Sequence, residues 1–129
     1  MSRVLIVEDD VHIRRVLRTL LEGEGHAVSE AQDGLQGLAA ALEGSPRCII
    51  SDTMMPQMDG LTMLEHLREQ GREIPVILIS AAHDLPDAAR RESLGIVALF
   101  PKPFDFDALL KAVGDICANP GGLAPPTGP

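Results

Sequence analysis

The segment Val4-Leu5-Ile6-Val7-Glu8-Asp9-Asp10 indicates the fold class, because its short apolar run is followed directly by three carboxylates. Consecutive apolar residues rich in β-branched side chains are typical of a strand that is buried on both faces of a parallel sheet. Residues 48–51 and 76–79 repeat the pattern, and residues 27–30 and 96–100 are weaker candidates. The sequence therefore predicts five short strands.

The segments between these strands show apolar residues at helical spacing. They are Ile13, Val16, Leu17, Leu20 and Leu21; Leu35, Leu38, Ala39 and Leu42; Leu61, Leu64 and Leu67; and Phe106, Leu109, Leu110, Val113 and Ile116. Residues 84–94 predict a further, exposed helix entered near Pro86, since proline suits a first helical turn. Strand and helix thus alternate five times, which predicts an α/β doubly wound fold with a parallel sheet and helices on both faces.

Composition narrows the class of protein. A chain of 129 residues is expected to form one domain, with an aliphatic core because Trp and Tyr are absent. The net charge of −8 argues against direct binding of nucleic acid. Two distant cysteines favour a reducing cytoplasm, and no apolar run reaches the roughly 18 residues of a membrane span. The Pro/Gly-rich residues 119–129 predict a disordered tail or linker after a domain of residues 1–118.

Three acidic residues are expected to meet at one edge of the sheet. Glu8 and Asp9 follow the first strand, and Asp52 ends the third. In open parallel sheets, ligands gather outside the carboxyl ends of the strands, so these carboxylates converge if the first strand lies beside the third. Clustered hard oxygen donors favour Mg²⁺. For Asp10, the simpler interpretation is a helix N-cap.

Ser80 and Lys102 end the last two strands and complete the candidate site. A carboxylate such as Asp52 acts as a nucleophile toward phosphorus when nearby positive charge offsets the charge of the incoming phosphate. Lys102 and Mg²⁺ would supply that charge, and the Ser80 hydroxyl would bond a phosphoryl oxygen. Taken singly, a strand-end serine is more often a turn residue and a strand-end lysine more often solvated. Their joint placement favours the functional interpretation.

Four motifs in order resemble the receiver domains of bacterial two-component response regulators, similar to the chemotaxis regulator. They are residues 5–10, residues 52–60, Ser80-Ala81 and Lys102-Pro103-Phe104, and the resemblance covers residues 3 to about 117. It implies a flavodoxin-like sheet with strand order 2-1-3-4-5. It also implies that Asp52 takes a phosphoryl group from the phosphohistidine of a sensor histidine kinase or phosphotransfer protein, in a Mg²⁺-dependent reaction.

The resemblance also implies the roles of single residues. Asp9 and Asp52 would bind the metal directly, Glu8 would act through water, and Met54 would contribute its backbone carbonyl. The Lys102-Pro103 peptide bond would be cis, which is the one bond type where the cis form costs little. Ser80 would act as the switch by moving toward the phosphate.

The signal would pass to an output domain or downstream protein through the face made by the fourth helix, the fifth strand and the fifth helix, and a phosphorylation-dependent dimer is a further expectation. Leu99 occupies the position where the family usually carries Tyr, Phe or His, so the aromatic part of the switch is missing. Phe100 should point to the opposite sheet face and cannot replace it. Pro101 lacks a backbone donor, from which we expect stiffening or local distortion of the strand.

Two other classes of function stay open on the sequence alone. An Asp nucleophile with Mg²⁺ and Lys is also phosphatase chemistry, but no insertion is long enough to cap a small-molecule pocket. A flavin-binding or degenerate scaffold domain is the other alternative, although carboxylates stand where a nucleotide phosphate needs glycine and backbone N–H groups.

Overall fold

The computed structural model describes residues 2–81 and 85–118, in which strands and helices alternate. The elements are β1 (Arg3–Val7), α1 (Val11–Gly23), β2 (Ala27–Ala31), α2 (Gly34–Gly44), β3 (Cys48–Asp52), α3 (Gly60–Glu69), β4 (Val76–Ser80), α4 (Ala88–Leu94), β5 (Ile96–Pro101) and α5 (Phe106–Cys117). The five predicted strands and five predicted helices are confirmed. Each strand is one residue longer than its apolar pattern, because the hydrogen-bonded ladder begins one residue earlier in β1 and continues one residue further in the other four strands.

The strands form one parallel sheet with the order β2-β1-β3-β4-β5, which confirms the flavodoxin-like topology. β1 lies directly beside β3, with Val7 opposite Ser51. The residues that follow these partners, Glu8 and Asp52, therefore stand at the same edge of the sheet. The fold thus satisfies the condition on which the predicted acidic site depended.

Both faces of the sheet are buried, so neighbouring strand residues pack into two separate aliphatic cores. Leu5 and Val7 of β1 belong to the core beneath α2, α3 and α4. Val4 and Ile6 belong to the core beneath α1 and α5. All four side chains are at most 1% exposed, and removal of such apolar surface from water is the main force that stabilises the sheet between its helix layers.

Every helix begins after an aspartate whose side chain accepts backbone N–H groups of the first turn. The N-caps are Asp10, Asp33, Asp59, Asp87 and Asp105. Asp10 accepts from the backbone nitrogens of His12 and Ile13, which confirms its predicted role as a cap. Each such cap stabilises its helix by about 1 kcal/mol.

The predicted start of the fourth helix was wrong. Within the described residues, α4 begins at Ala88 rather than near Pro86, and residue 84 lies outside the described ranges. Asp87 has extended backbone angles and accepts the N–H of Arg90, so it is the N-cap. A cap residue is not itself helical, and Pro86 is therefore left before the helix rather than in its first turn.

The local distortion expected at Pro101 is not found there. β4 and β5 stay in register from Ile77 opposite Ala98 to Ser80 opposite Pro101, and the register shift lies at the other end, between Val76 and Ile77. β5 is an edge strand, where a missing backbone donor leaves no ladder bond broken. The next N–H, that of Lys102, donates to the Ser80 carbonyl at 2.7 Å.

The predicted tail of residues 119–129 lies outside the described residues. In the described part of the chain, no helix combines the length and apolar character needed to cross a membrane.

Candidate phosphoacceptor and metal site

Glu8, Asp9 and Asp52 meet at the carboxyl edge of β1 and β3. One carboxylate oxygen of each lies within 4.8 Å of the others. Glu8 is fully buried and Asp52 is 5% exposed, whereas Asp9 faces solvent. The site is therefore a buried pair of carboxylates with a third at its mouth.

Lys102 is brought to this pair by the end of β5. Its Nζ donates a hydrogen bond to Asp52 Oδ2 at 2.8 Å and lies 3.1 Å from Glu8 Oε1. The Lys102-Pro103 peptide bond is cis. Burial alone would lower the pKa of Lys102, but the hydrogen bond to Asp52 and the charge of Glu8 outweigh that effect and raise it. Lys102 is accordingly charged over the physiological pH range.

Glu8 holds an incompletely satisfied carboxyl group. Its Oε2 accepts the backbone N–H of Asp10 at 3.0 Å, but among the described residues Oε1 receives no hydrogen bond of good geometry, although the charge of Lys102 is near. Burial raises the pKa of Glu8 to about 7, and the charge of Asp52 adds to that, while the Asp10 N–H and Lys102 oppose it. An additional positive charge would stabilise the ionised form.

These donors fit a hard divalent cation. Three carboxylates converge, one buried oxygen lacks a hydrogen bond, and Mg²⁺ prefers carboxylate and carbonyl oxygens. Met54 stays close to the cluster because its backbone N–H points to Asp52 Oδ1 at 3.4 Å. Of the predicted metal ligands, Glu8, Asp9 and Asp52 are thus brought together, with Met54 on the adjoining loop.

Ser80 ends β4 and is fully buried, but its hydroxyl bonds neighbours other than Asp52. Its Oγ lies 3.0 Å from Thr53 Oγ1 and donates to the Ala81 carbonyl at 2.9 Å. Thr53 is 3% exposed and was not singled out in the sequence. The sequence feature that could have identified Thr53 is its hydroxyl group, directly after the aspartate that ends β3.

The loop of residues 53–59 is held by the starts of two helices. The N–H of Gly60 donates to the Thr53 carbonyl at 2.9 Å, and that of Gly34 donates to the Met58 carbonyl at 3.0 Å. A Cβ atom on Gly34 would lie 2.1 Å from the Met58 oxygen, so only glycine permits this approach. Sequence periodicity contains no signal for this contact between α2 and the loop.

Leu99 and Phe100 face opposite sides of the sheet, as predicted. Leu99 is partly buried against the core beneath α2, α3 and α4, and Phe100 against the core beneath α1 and α5. At the position where the resemblance implies a switching aromatic ring, the chain therefore carries a packed aliphatic side chain.

Comparison with known proteins identifies one family for most of the chain. Residues 4–114 match the family model described as response regulator receiver domain. The transcriptional regulatory protein YkoG of Bacillus subtilis is 38% identical over 112 residues, which are 87% of this chain and 49% of YkoG. The chain spans about half the length, or less, of the curated relatives it matches.

Solved structures agree with the family match. The receiver domain of the Francisella response regulator 1452 is similar with a TM-score of 0.82 and 30% identity, over 90% of this chain and 96% of that one. The response regulator protein TrrA of Thermotoga maritima, solved in complex with Mg²⁺ and BeF, is similar with a TM-score of 0.79 and 27% identity, over 90% of this chain and 99% of that one. On the family match and these likenesses, the chain belongs to the response regulator receiver domain family.

Proposed function

We propose that Asp52 carries the phosphoacceptor role that this chain has as a response regulator receiver domain. The observation that supports Asp52 is its position in a buried carboxylate pair with the Lys102 ammonium 2.8 Å from Oδ2. No other carboxylate of the cluster has the same surroundings, because Asp9 is exposed and Glu8 is bound to the Asp10 backbone. Asp52 ends β3 at the edge of the sheet, next to the loop of residues 53–59, and the Lys102 ammonium offsets its charge.

In the proposed reaction, a carboxylate oxygen of Asp52 attacks the phosphorus of a phosphohistidine. The new O–P bond forms as the P–N bond breaks, and the electron pair stays on the imidazole nitrogen, which takes up a proton. Lys102 would pair with a phosphoryl oxygen as the phosphate arrives, and Ser80 would donate to another. Mg²⁺, held by Asp9, Asp52 and the Met54 carbonyl with Glu8 acting through water, would offset the negative charge.

The partners follow from the same proposal. A sensor histidine kinase or phosphotransfer protein supplies the phosphoryl group, and an output domain or separate protein reads the phosphorylated state through α4, β5 and α5. We place this signalling in the cytoplasm, with residues 1–118 as the receiver domain and residues 119–129 as its tail or linker. A dimer formed on phosphorylation belongs to the same proposal.

Family membership favours this signalling role over the two alternatives. A small-molecule phosphotransfer enzyme would turn over phosphoesters with many cycles per protein molecule. A flavin-binding scaffold would purify with a yellow chromophore. Either observation would count directly against the proposal.

The decisive experiment is phosphorylation with acetyl phosphate, with and without Mg²⁺, read by intact mass. Wild type should gain one phosphoryl group only when Mg²⁺ is present, and Asp52→Asn should gain none. Asp115→Asn is a matched control because Asp115 lies on the exposed surface of α5. Modification of Asp52→Asn to the wild-type extent, or modification of wild type without Mg²⁺, would overturn the assignment.

A further inference from the structure

Thr53 and Ser80 form a buried pair of hydroxyl groups beside the phosphoacceptor. Their oxygens are 3.0 Å apart, and the residues are 3% and 0% exposed. Thr53 follows Asp52 directly, and Ser80 ends the neighbouring strand β4. The pair therefore links the strand that carries Asp52 to the residue proposed to meet the phosphate.

Proton counting fixes the direction of these hydrogen bonds. Each hydroxyl has one proton to donate. Ser80 Oγ donates its proton to the Ala81 carbonyl at 2.9 Å, so in the pair the Thr53 hydroxyl donates and Ser80 Oγ accepts. Ser80 is thus used as donor and as acceptor before any phosphate arrives.

Movement of Ser80 to a phosphoryl oxygen would break both bonds. Its single proton would leave the Ala81 carbonyl, and the Thr53 hydroxyl would lose its acceptor in a buried place. Thr53 does not follow with its backbone, because its carbonyl accepts the Gly60 N–H at 2.9 Å. A buried hydroxyl left without a partner destabilises the state in which it occurs.

We propose that Thr53 is a positioning residue that holds Ser80 in its unphosphorylated place and so opposes switching. The inference rests on the proposed function, because it takes Ser80 as the group that moves to the phosphate. Thr53 acts through Ser80 and is not proposed to contact the phosphate or the metal. Phosphorylation at Asp52 must therefore overcome the free energy of the Thr53–Ser80 hydrogen bond before Ser80 can move.

The surroundings of Thr53 connect this contact to α4. Thr53 lines a cavity of about 310 Å³ together with Met54, Leu61, Pro86 and Arg90. This space lies between the start of α3 and the segment that enters α4. Release of the Ala81 carbonyl would free the first residue after β4 from its hydrogen bond with Ser80.

The test is the affinity of the protein for beryllofluoride in the presence of Mg²⁺, measured by titration calorimetry. Thr53→Val keeps the shape of the side chain and removes the hydroxyl. It should bind the probe more tightly than wild type by about twofold to tenfold, the change expected for one net hydrogen bond. Thr53→Ser restores a hydroxyl and should return the affinity to near the wild-type value.

Two controls separate positioning from a general effect on the fold. In a Ser80→Ala background, Thr53→Val should no longer change the affinity, because the group on which it acts is absent. Thr19→Val, an exposed threonine on α1, should leave the affinity unchanged. Urea unfolding of each variant without the probe reports changes in stability separately from changes in binding.

A second measurement does not depend on how Thr53→Val folds. The Thr53 methyl resonance should shift when beryllofluoride binds to wild type, and should shift much less in Ser80→Ala. An unchanged or weaker affinity of folded Thr53→Val, an equal gain in the Ser80→Ala background, or an unmoved methyl resonance in wild type that binds the probe would overturn this inference. Failure of wild type to bind the probe with Mg²⁺ would instead overturn the proposed function.

Discussion

The single positive charge of Lys102 pairs with two buried carboxylates, since its Nζ lies 2.8 Å from Asp52 Oδ2 and 3.1 Å from Glu8 Oε1. Asp9 adds a third negative charge at the mouth of the site. Buried like charges are costly unless they are paired. At the scale of single residues, protonation of Glu8 and binding of a divalent cation are two competing ways to relieve the same imbalance.

The first prediction concerns the pH dependence of Mg²⁺ binding. The pKa of Glu8 is raised from 4.5 to about 7 in the folded protein, so between these values the folded state holds a proton that the unfolded chain does not. A protonated carboxyl group does not favour a cation. We therefore expect the Mg²⁺ affinity to fall by about tenfold from pH 8 to pH 6, because the ionised fraction of a group with pKa near 7 falls by that factor. Titration calorimetry at a series of pH values measures it.

Glu8→Gln is the matched control for this pH dependence. It keeps the size of the side chain and cannot titrate, so its Mg²⁺ affinity should be weaker but nearly constant between pH 6 and pH 8. The metal-free wild type should also lose stability as the pH rises from about 4.5 through 7, since the charge must then be buried, and Glu8→Gln should not. A wild-type affinity for Mg²⁺ that is flat across this range would contradict the role given to Glu8.

At the scale of elements, two helices position the loop of residues 53–59 between Asp52 and α3. Gly60 begins α3, and a Cβ atom there would lie 2.1 Å from the Asp52 carbonyl oxygen. Gly34 begins α2 and makes the equivalent close approach to Met58. The Gly60 contact joins the start of α3 to the end of β3, and the Gly34 contact joins the start of α2 to the loop. The loop conformation therefore depends on α2, which contributes no site residue of its own.

The second prediction is that Gly34→Ala weakens Mg²⁺ binding by at least about threefold. The added methyl group must push the Met58 carbonyl away, which shifts the loop that carries Met54. Gly37→Ala is the matched control, because its methyl group would meet Met63 and Val7 in the core rather than the loop. That variant should lose about 1–3 kcal/mol of stability through overpacking and keep the Mg²⁺ affinity of its folded fraction.

Gly114→Ala measures the effect on stability of a glycine-to-alanine change that makes no new contact. Gly114 lies inside α5, and a Cβ atom there meets nothing within 4 Å. This substitution should stabilise the protein by about 0.5–1 kcal/mol through helix propensity alone. Equal Mg²⁺ affinities for Gly34→Ala and Gly37→Ala, measured under conditions where both are folded, would refute a positioning role for α2.

At the scale of the whole molecule, Arg68 joins segments that are distant in sequence. From the last turn of α3, its guanidinium donates to the carbonyls of Arg72 and Ile74 before β4 and to that of Leu94 at the end of α4. The Ile74 and Leu94 bonds from Nη2 are both 2.7 Å long. Three segments therefore meet at one side chain, away from the acidic site.

The third prediction is that Arg68→Met destabilises the protein by about 2–4 kcal/mol, because carbonyl groups that accepted charge-assisted hydrogen bonds lose their donor. Urea unfolding measures the loss, and hydrogen exchange should show faster exchange for α4 amides. Arg47→Met is the control, since exposed Arg47 donates one bond of 3.2 Å, to the Cys117 carbonyl. Arg47→Met should lower the free energy of unfolding by less than about 1 kcal/mol. Equal losses for the two variants would contradict the bridging role of Arg68.

The sequence alone was sufficient to predict the alternation of strands and helices, because apolar periodicity and helix-capping residues are local properties of the chain. It also placed Glu8, Asp9, Asp52, Ser80 and Lys102 at strand ends, where a parallel sheet collects them. Asp10 as a helix cap followed from the same local chemistry. The start of α4 did not, because Pro86 suits a first helical turn and only the cap geometry of Asp87 shows that the helix begins at Ala88.

Contacts between residues on different strands and loops could be assigned only from the three-dimensional structure. The pairing of β1 with β3 converted three separate carboxylates into one cluster, and burial then raised the pKa of Glu8. The Thr53–Ser80 hydroxyl pair and the contact of Gly34 with Met58 join residues 27 and 24 positions apart, so no periodic pattern encodes them. Hydrogen bonds of this kind weaken when the donor and acceptor move apart by a few tenths of an ångström, and packing rather than residue order sets that separation.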